Sequence, residues 1–407
     1  MVLVQFIVDR LSNIDFSSVK KEMLWWTGCG ITLFAIGKFF DGIVFGVLQG
    51  KWRIPLLDDA VMFLTEHLIW GILATFAIVT LFRVLKKPSH QSKLVPAIFA
   101  VISTGIASFV LKSFFHAPRP YEIMSLNVAP LVPAASFSFP SAHTAVAFAL
   151  LIPFYRISKT IGVLWAMFAI LIGFARVYEN VHFPSDIAGG IFLGGLIGAF
   201  FSHPDIVKTL VLLWQEREFR RQSFHFIFGF SCVFLLWANF LDLYEIGVLL
   251  VCGLLLSYVA QFKTIPILAD LLELFDRPRD KNFPGRGAFF FLLGVFLCVF
   301  IFQGANKNIA YASILILSVG DSLNHLFGTK LQRIRFPWNK RKNVLGVSIG
   351  ILSGTFAAQF FVPVLPAFIA SSIAILVETI PFRIGKFYID DNIIVPLVAG
   401  SVISFLT

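Results

Sequence analysis

Charged residues are scarce in this sequence of 407 residues. Asp, Glu, Lys and Arg together make up 14% of the chain, whereas they make up about a quarter of a typical soluble domain. This shortage excludes an ordinary water-soluble enzyme. In place of charge the chain has 57% hydrophobic residues, and apolar runs of spanning length recur from end to end. The sequence therefore predicts an all-α, polytopic helical membrane protein.

Cysteine is also rare, and each cysteine lies inside an apolar run: Cys29, Cys232, Cys252 and Cys298. That placement indicates small core or lipid-facing residues and excludes a disulfide framework. The net charge of +10 comes from basic residues in separated loops, which excludes a nucleic-acid interface. The first apolar stretch, Val2 to Ile7, is short and runs into Asp9, so no cleavable signal peptide is expected.

The apolar runs predict about thirteen transmembrane helices in two fused bundles. The first bundle has predicted spans at 23–46, 66–84, 94–112, 142–155, 159–176 and 186–202. A charged segment, 203–225, leads to seven more, at 226–242, 246–262, 287–303, 308–324, 343–360, 363–380 and 392–406. The predicted parts are a cytoplasmic or interfacial segment 1–22, a six-span domain 23–202 and a seven-span domain 203–407.

Clusters of Lys and Arg alternate along the chain with loops that are poor in both residues. Because cytoplasmic loops carry the excess of Lys and Arg, these clusters predict a cytoplasmic N-terminus. With thirteen spans, this topology places the polar segments of the first bundle at the exterior face and those of the second bundle at the cytoplasmic face.

Three polar segments interrupt the first bundle. They are Lys-Ser-Phe-Phe-His-Ala-Pro-Arg-Pro at 112–120, Phe-Pro-Ser-Ala-His at 139–143, and Arg-Val-Tyr-Glu-Asn-Val-His-Phe-Pro-Ser-Asp at 176–186. Lys112, Arg119 and Arg176 can stabilise the charge on the oxygens of a phosphoryl group, and each Arg can donate paired hydrogen bonds. Ser141 precedes an apolar run and is predicted to cap a helix whose first N–H groups face an anion.

The same segments contain a candidate nucleophile. His182 and Asp186 are four residues apart, so Asp186 can fix the imidazole tautomer and leave the other ring nitrogen free to attack phosphorus. His143 can then protonate the leaving oxygen. Two other interpretations remain: polar residues at helix ends, and a zinc site made by these three side chains. The neighbouring cations argue against a divalent metal there.

The ordered set Lys-x6-Arg-Pro, Pro-Ser-x-His and Arg-x5-His-x3-Asp resembles the type 2 phosphatidic acid phosphatase superfamily of membrane lipid phosphatases, roughly over residues 23–202. The resemblance implies that His182 becomes a phosphohistidine, that Asp186 orients it and that His143 is the general acid. It also implies a metal-free phosphate clamp made of Lys112, Arg119, Ser141 and Arg176. Ala142 replaces the usual Gly and Ala175 the usual Ser; Ala142 keeps its backbone N–H, so we expect activity.

The second bundle has polar segments of its own, and several carry acids at membrane edges, where acids are functional candidates. Asp321 and Asp391 are candidate ligands for Mg²⁺, and Arg221, Lys330 and Lys342 are candidate phosphate contacts. Together they predict a metal–nucleotide site. The alternative is a set of snorkelling loop residues and one helix-capping Asp.

The order and spacing of the polar residues in this half resemble the motifs of the CTP-dependent polyprenol, dolichol and phytol kinases. These enzymes are relatives of phosphatidate cytidylyltransferase. The matching positions are Glu218, Arg221 and His225; Gly320 and Asp321; Lys342 and Gly346; and Glu378, Asp391 and Asn392. Gln222, Asn343 and Leu345 replace the family's usual Lys, Ser and Glu. The resemblance implies Mg²⁺-assisted phosphoryl transfer from CTP to a lipid alcohol.

These patterns together predict a bifunctional membrane enzyme. Its outer site would hydrolyse a lipid phosphate or diphosphate, and its inner site would phosphorylate a lipid alcohol. A polyprenyl carrier suits the pair, because dephosphorylating the diphosphate and phosphorylating the alcohol both give the monophosphate. The alternatives are a phosphatidate-type phosphatase with a diacylglycerol kinase, a C-terminal half that only scaffolds, and a lipid transporter.

Overall fold

The computed structural model describes residues 16–47, 54–69, 71–72, 88–123, 130–131, 136–237, 239–276, 282–328, 334–380, 383–384, 387–388 and 390–407. Within these ranges the chain is almost entirely helical, apart from two antiparallel β-hairpins. The predicted all-α class is confirmed. The described residues up to Leu212 pack as one compact unit, and those from Leu213 pack as a second. The predicted domain division at 202/203 stays a prediction.

The described part of the first unit is built from helices. They are α1 (Phe16–Val47), α2 (Pro55–Met62, continued by a π-helical turn, Phe63–Leu68), α3 (Pro88–Phe115), α4 (Pro120–Ile123), α5 (Ala142–Ala149), α6 (Leu151–Ile157), α7 (Lys159–Tyr178), α8 (Pro184–Ser202) and α9 (Pro204–Gln215). Helix α9 carries the chain into the second unit. The predicted charged segment 203–225 is therefore helical.

Three glycines on one face of α8, four residues apart, set how closely this helix approaches α5. A Cβ atom at Gly194 would lie 2.0 Å from the carbonyl oxygen of Ala145, and Cβ atoms at Gly190 and Gly198 would come within 2.7 Å of other carbonyl oxygens. Small residues at this spacing let membrane helices pack backbone to backbone. Helix α1 packs on another face of α8, so α8 lies between two neighbours.

The second unit contains α10 (Arg217–Trp237), α11 (Leu243–Phe262), α12 (Pro266–Phe275), α13 (Arg286–Phe302), α14 (Lys307–Leu315, continued by a π-helical turn, Ile316–Asp321), α15 (Ser322–Gly328), β1 (Arg335–Phe336), β2 (Asn339–Asn343), α16 (Val344–Ala358), α17 (Val364–Val377), β3 (Arg383–Ile384), β4 (Phe387–Tyr388) and α18 (Asp391–Leu406). From Ile309 onward, helix α14 and its π-helical turn are buried, and they contact α10, α16 and α18.

Six described stretches are long and apolar enough to cross a membrane: Ser17–Phe45, Leu94–Ile123, Lys159–Tyr178, Pro184–Ser202, Leu243–Phe262 and Lys307–Phe327. Shorter apolar helices cover Ala142–Ile157, Arg286–Phe302, Val344–Ala358, Val364–Val377 and Asp391–Leu406. These stretches match the predicted spans, so the polytopic membrane class is confirmed. Most of the predicted span 66–84 lies outside the described residues. Of the span predicted at 226–242, residues 226–237 form the C-terminal part of α10.

Candidate active site

Four short stretches of the first unit bring the predicted polar residues together. Lys112 lies in the last turn of α3, and Arg119 directly precedes α4. Ser141 is the N-cap of α5, and His143 is in its first turn. The loop between α7 and α8 carries His182. Each catalytic candidate therefore lies at or next to a helix end, where backbone groups are left without intrahelical partners.

The guanidinium of Arg119 holds two of these stretches together. Its Nε donates to the carbonyl oxygen of Ser136 at 2.7 Å, and its Nη1 donates to the carbonyl oxygen of Val181 at 2.7 Å. The same Nη1 lies 3.5 Å from Nε2 of His182. Arg119 is only 2% exposed. The buried, charged guanidinium group of Arg119 therefore lies next to Nε2 of His182, the predicted nucleophile.

Lys112 binds the same loop as Arg119. Its Nζ donates to the carbonyl oxygens of Phe137 and of Ser138, the latter at 3.1 Å. Arg119 Nη2 also donates to the Phe137 carbonyl oxygen, at 3.3 Å. Two buried cations thus share one carbonyl oxygen, and the structure brings these predicted phosphate contacts together.

The other ring nitrogen of His182 faces a hydroxyl and a carboxylate. Ser138 Oγ donates to Asp186 Oδ2 at 2.5 Å and lies 3.4 Å from His182 Nδ1. The direct distance from His182 Nδ1 to Asp186 Oδ2 is 3.5 Å, which is long for a hydrogen bond. Asp186 Oδ2 also accepts from the backbone N–H of Phe183 at 2.8 Å. Ser138, which the sequence analysis missed, lies between the predicted nucleophile and its orienting carboxylate.

The surroundings of His182 keep its imidazole neutral. Burial lowers the pKa of His182 well below its ordinary value of 6.5, and the positive charges of Lys112, Arg119 and Arg176 lower it further. A neutral imidazole has a free lone pair, which an attack on phosphorus requires. The same three cations act electrostatically on His143.

Arg176 is held by a carboxylate that the sequence analysis did not assign. Its Nη1 lies 2.7 Å from Oε2 of Glu179, and both side chains are buried. Thr65 Oγ1 donates to the other oxygen of this carboxylate. The buried Nε of Arg176 has no hydrogen-bond partner among the described residues. That donor is free to bind an anion.

Ser141 begins α5, as predicted, but its hydroxyl does not bond a backbone N–H of that helix. Its Oγ lies 3.0 Å from Oγ1 of Thr144, and its backbone N–H donates to the carbonyl oxygen of Asp186 at 3.1 Å. The start of α5 is therefore tied to the start of α8, and the first N–H groups of α5 lack intrahelical acceptors.

A buried carboxylate on α1 anchors the start of α8. Asp41 Oδ1 accepts from the backbone N–H of Ser185 at 2.9 Å, and Oδ2 accepts from its hydroxyl at 2.7 Å. Lys38 pairs with the same carboxylate at 3.1 Å. Ser185 directly precedes Asp186, so α1 fixes the helix turn that carries the orienting carboxylate. The sequence analysis missed Asp41.

In the second unit, Glu218, Arg221 and His225, the first positions that match the kinase pattern, lie in the N-terminal half of α10. Arg221 Nη2 donates to Glu218 Oε1 at 2.6 Å, and Gln222 Nε2 donates to the same oxygen at 2.9 Å. His225 is buried and its ring contacts Phe291 edge-on at 5.2 Å between centroids. These residues pair with one another and with the core of α13.

Three of the remaining predicted residues, Asp321, Lys342 and Asp391, lie near Glu378. Lys342 Nζ forms a buried ion pair with Glu378 Oε1, and Asp321 lies close by. Burial lowers the pKa of Lys342, but the charges of Glu378 and Asp321 outweigh that effect and raise it above the ordinary value. Lys342 therefore stays charged. Asp391 is near enough to Lys342 to act on it electrostatically.

Two other positions compared with the kinase pattern, Asn343 and Asn392, have simpler surroundings. Asn343, in place of the family's Ser, caps α16 by accepting from the backbone N–H of Gly346 at 2.6 Å. Asn392 donates to Asp390 Oδ1 at 2.8 Å, next to the start of α18. Lys330 lies outside the described residues.

Comparison with known proteins identifies the first unit. Residues 93–204 match the family model described as PAP2 superfamily. The chain is 31% identical over 162 residues to Undecaprenyl-diphosphatase BcrC of Bacillus subtilis (strain 168), covering 38% of this chain and 79% of that protein. It is 36% identical over 99 residues to Phosphatidylglycerophosphatase B of the same organism, covering 22% of this chain and 46% of that protein.

One solved structure was also compared with this chain. The transmembrane PAP2 type phosphatidylglycerolphosphate phosphatase from Bacillus subtilis matches 43% of this chain and 92% of its own, with 24% identity and a TM-score of 0.36. The matched residues 93–204 contain Lys112, Arg119, His143 and His182. Because it is 31% identical to BcrC and covers 79% of that protein, this chain belongs to the PAP2 superfamily of membrane lipid phosphatases.

Proposed function

We propose that the first unit hydrolyses a lipid phosphate or diphosphate through a phosphohistidine. His182 Nε2 attacks phosphorus, and the bond from phosphorus to the leaving oxygen breaks while His143 donates a proton to that oxygen. A water molecule then attacks the phosphohistidine, His143 takes its proton, and inorganic phosphate leaves with His182 restored. Asp186 stabilises the imidazole tautomer that leaves Nε2 free.

One observation carries this proposal: the two ring nitrogens of His182 have different partners. Nε2 lies 3.5 Å from the Arg119 guanidinium, where a phosphate would bind, whereas Nδ1 faces Ser138 and Asp186. Nδ1 is thus on the side that would hold the ring proton. The geometry favours attack through Nε2, next to the cations that stabilise the transferring group.

Lys112, Arg119 and Arg176 supply the charge that a metal supplies in other phosphoryl-transfer sites. Ser141 and the N-terminus of α5 add backbone N–H donors on the side of His143. We therefore propose a reaction that proceeds with a chelator present.

For the substrate we propose a polyprenyl diphosphate. The support is the 79% coverage of a relative named Undecaprenyl-diphosphatase. A glycerolipid phosphate is the rival, since another relative is named Phosphatidylglycerophosphatase B. The proposed phosphate contacts do not discriminate between these lipids, because both carry a phosphate.

The test is phosphate release by the purified full-length protein in detergent with EDTA. Polyprenyl diphosphate and phosphatidate are compared for wild type, His182→Ala and His67→Ala, the last being an exposed histidine on the π-helical turn after α2. We expect His182→Ala to lose at least ~10⁴-fold in kcat and His67→Ala to match wild type. Release that survives His182→Ala would overturn the mechanism. Hydrolysis of phosphatidate alone would overturn the polyprenyl assignment.

A second candidate function concerns residues 203–407. We propose that they phosphorylate a lipid alcohol from CTP, because a buried lysine contacts Glu378 beside Asp321, close to the start of α16. Such a lysine is placed to bind nucleotide phosphate once its carboxylate partners are neutralised. With polyprenol as substrate, this kinase activity would produce polyprenyl monophosphate, which is also the product of polyprenyl diphosphate hydrolysis in the first unit.

The kinase test is transfer of label from γ-labelled CTP to polyprenol, with diacylglycerol as the competing acceptor. We expect Lys342→Met to abolish transfer while metal-free phosphate release continues, because that lysine is absent from the phosphatase machinery. No transfer to either alcohol by wild type, at any divalent ion, would leave the second unit with a scaffolding role.

We also propose that the phosphatase site faces the exterior, and the kinase site and the N-terminus the cytoplasm. The support is the distribution of Lys and Arg among the loops. Labelling single cysteines introduced at Arg156 and Phe114 in sealed vesicles tests this orientation. An exterior label at Arg156 would invert it.

A further inference from the structure

Three side chains of the second unit present metal-ligating atoms to one point. Oxygens of Asp321 and Glu378 and a ring nitrogen of His325 all lie within 4.8 Å of one another. His325 Nε2 is 3.4 Å from Asp321 Oδ1 and 3.5 Å from Glu378 Oε1. Four ligand atoms arranged as a tetrahedron at ~2.1 Å from a metal ion lie roughly 3.4 Å from one another. Two of the three separations therefore already equal the edge of such a tetrahedron.

A second observation points to a ligand at this place. Asp321 is buried, and its Oδ1 receives no hydrogen bond from any described residue. A buried carboxylate oxygen without a donor is costly unless a cation or proton satisfies it. Glu378, by contrast, is oriented through its other oxygen, which accepts from Asn324 Nδ2 at 2.9 Å. Such outer contacts commonly fix a metal-binding carboxylate.

The backbone places Asp321 and His325 on one helix face. They are four residues apart, so their side chains project side by side. Asp321 ends the π-helical turn Ile316–Asp321, and such turns inside α-helices are frequent at functional sites. Glu378 reaches the pair from the end of α17.

We propose that Asp321, His325 and Glu378 bind a tetrahedral transition metal ion of the Zn²⁺ class. A neutral imidazole and two carboxylates exactly neutralise a divalent charge, which suits a buried site. Mg²⁺, implied by the resemblance to CTP-dependent kinases, prefers six oxygen ligands, several of them water. The donor set on these three residues does not fit Mg²⁺ and does fit Zn²⁺. This inference does not depend on kinase activity.

Lys342 is a competitor built into this site. Its Nζ contacts Glu378 Oε1 and lies 3.3 Å from His325 Nε2. The ammonium of Lys342 and a divalent ion cannot both occupy the space next to Glu378 Oε1 and His325 Nε2. Binding of the ion therefore requires Lys342 to move away. Removing the ammonium should therefore tighten binding, which is the reverse of what loss of a ligand would do.

The experiment measures metal content without nucleotide or lipid substrate. Full-length protein in detergent is treated with EDTA, dialysed separately against Zn²⁺, Mn²⁺ or Mg²⁺, and analysed by mass spectrometry for bound ion. The variants are Asp321→Asn, His325→Gln and Lys342→Met, with Lys307→Met as an exposed control at the start of α14. Thermal unfolding of each variant establishes that it is folded. His182→Ala separates this site from the histidines of the first unit.

We expect one Zn²⁺ per chain in wild type, His182→Ala and Lys307→Met. Asp321→Asn and His325→Gln should weaken Zn²⁺ binding by at least ~100-fold, and Lys342→Met should tighten it by about 10-fold. The proposal is overturned if wild type binds no Zn²⁺, even where Lys342→Met does, or if folded Asp321→Asn binds as tightly as wild type. Preferential binding of Mg²⁺ would also overturn it.

Discussion

The hydroxyl of Ser138 lies between His182, the proposed nucleophile, and the carboxylate of Asp186, so its removal tests the proposed mechanism. In Ser138→Ala the donor to Asp186 Oδ2 is lost, while the backbone carbonyl that binds Lys112 remains. A hydrogen bond to a charged group contributes about 1.5–3 kcal/mol, and ~1.4 kcal/mol corresponds to tenfold in rate. We therefore expect kcat to fall by ~10- to 100-fold, and KM to change by less than ~3-fold because the cations stay in place.

A pH profile separates positioning from a merely structural effect. Without the hydroxyl, Asp186 faces the imidazole directly, and an opposite charge favours imidazolium. The acid limb of kcat/KM should therefore move up towards neutral pH in Ser138→Ala. Ser108→Ala is the matched control, since this buried hydroxyl on α3 has no hydrogen-bond partner among the described residues. A kcat for Ser138→Ala within ~2-fold of wild type would refute the role assigned to Ser138.

Three more perturbations have expected outcomes. The lowered pKa of His182 predicts a wild-type pH–rate profile whose acid limb lies well below pH 6.5, because protonation removes the nucleophile only there. Gly194→Val forces a side chain against the carbonyl oxygen of Ala145, so thermal unfolding in detergent should show a loss of ~1–3 kcal/mol. Asp41→Ala leaves the buried N–H and hydroxyl of Ser185 without their acceptor, so both kcat and thermal stability should fall, the latter by about 1–3 kcal/mol.

Each of these has a control that can contradict it. An acid limb at or above pH 6.5 would mean that His182 is not shielded as described. Gly42→Val, on α1 with no atom within 4 Å of a new Cβ, should stay within ~0.5 kcal/mol of wild type; equal losses in both glycine variants would exclude the close-packing explanation. Asp41→Asn keeps one acceptor and should fall between wild type and Asp41→Ala.

The membrane-spanning helices could be predicted from the sequence because an apolar run of sufficient length determines a helix in lipid whatever its neighbours. The chemistry of Lys112, Arg119 and His182 could also be proposed, because ordered motifs reveal residue types that suit a phosphate. The structure adds that Arg119 and His182 lie 3.5 Å apart. The roles of these residues stay predictions.

The supporting residues could not be predicted, for a physical reason. Ser138 meets Asp186 across 48 positions and Asp41 meets Ser185 across 144, so each contact depends on how helices pack, which no local pattern records. His325 is different, because its four-residue spacing from Asp321 is visible in the sequence. Its value as a ligand appears only when α17 brings Glu378 to the same point.

The contact between Asp41 and Ser185 also has a consequence in time. Asp41 is synthesised 144 residues before its acceptor partners exist, and at about 5–20 residues per second that interval is roughly 7 to 30 seconds. Until Ser185 has been made, the carboxylate of Asp41 can pair with Lys38, which lies 3.1 Å away on the same helix. The Lys38–Asp41 pair can therefore form as soon as α1 exists, whereas the contact between Asp41 and Ser185 can form only after α8 has been synthesised.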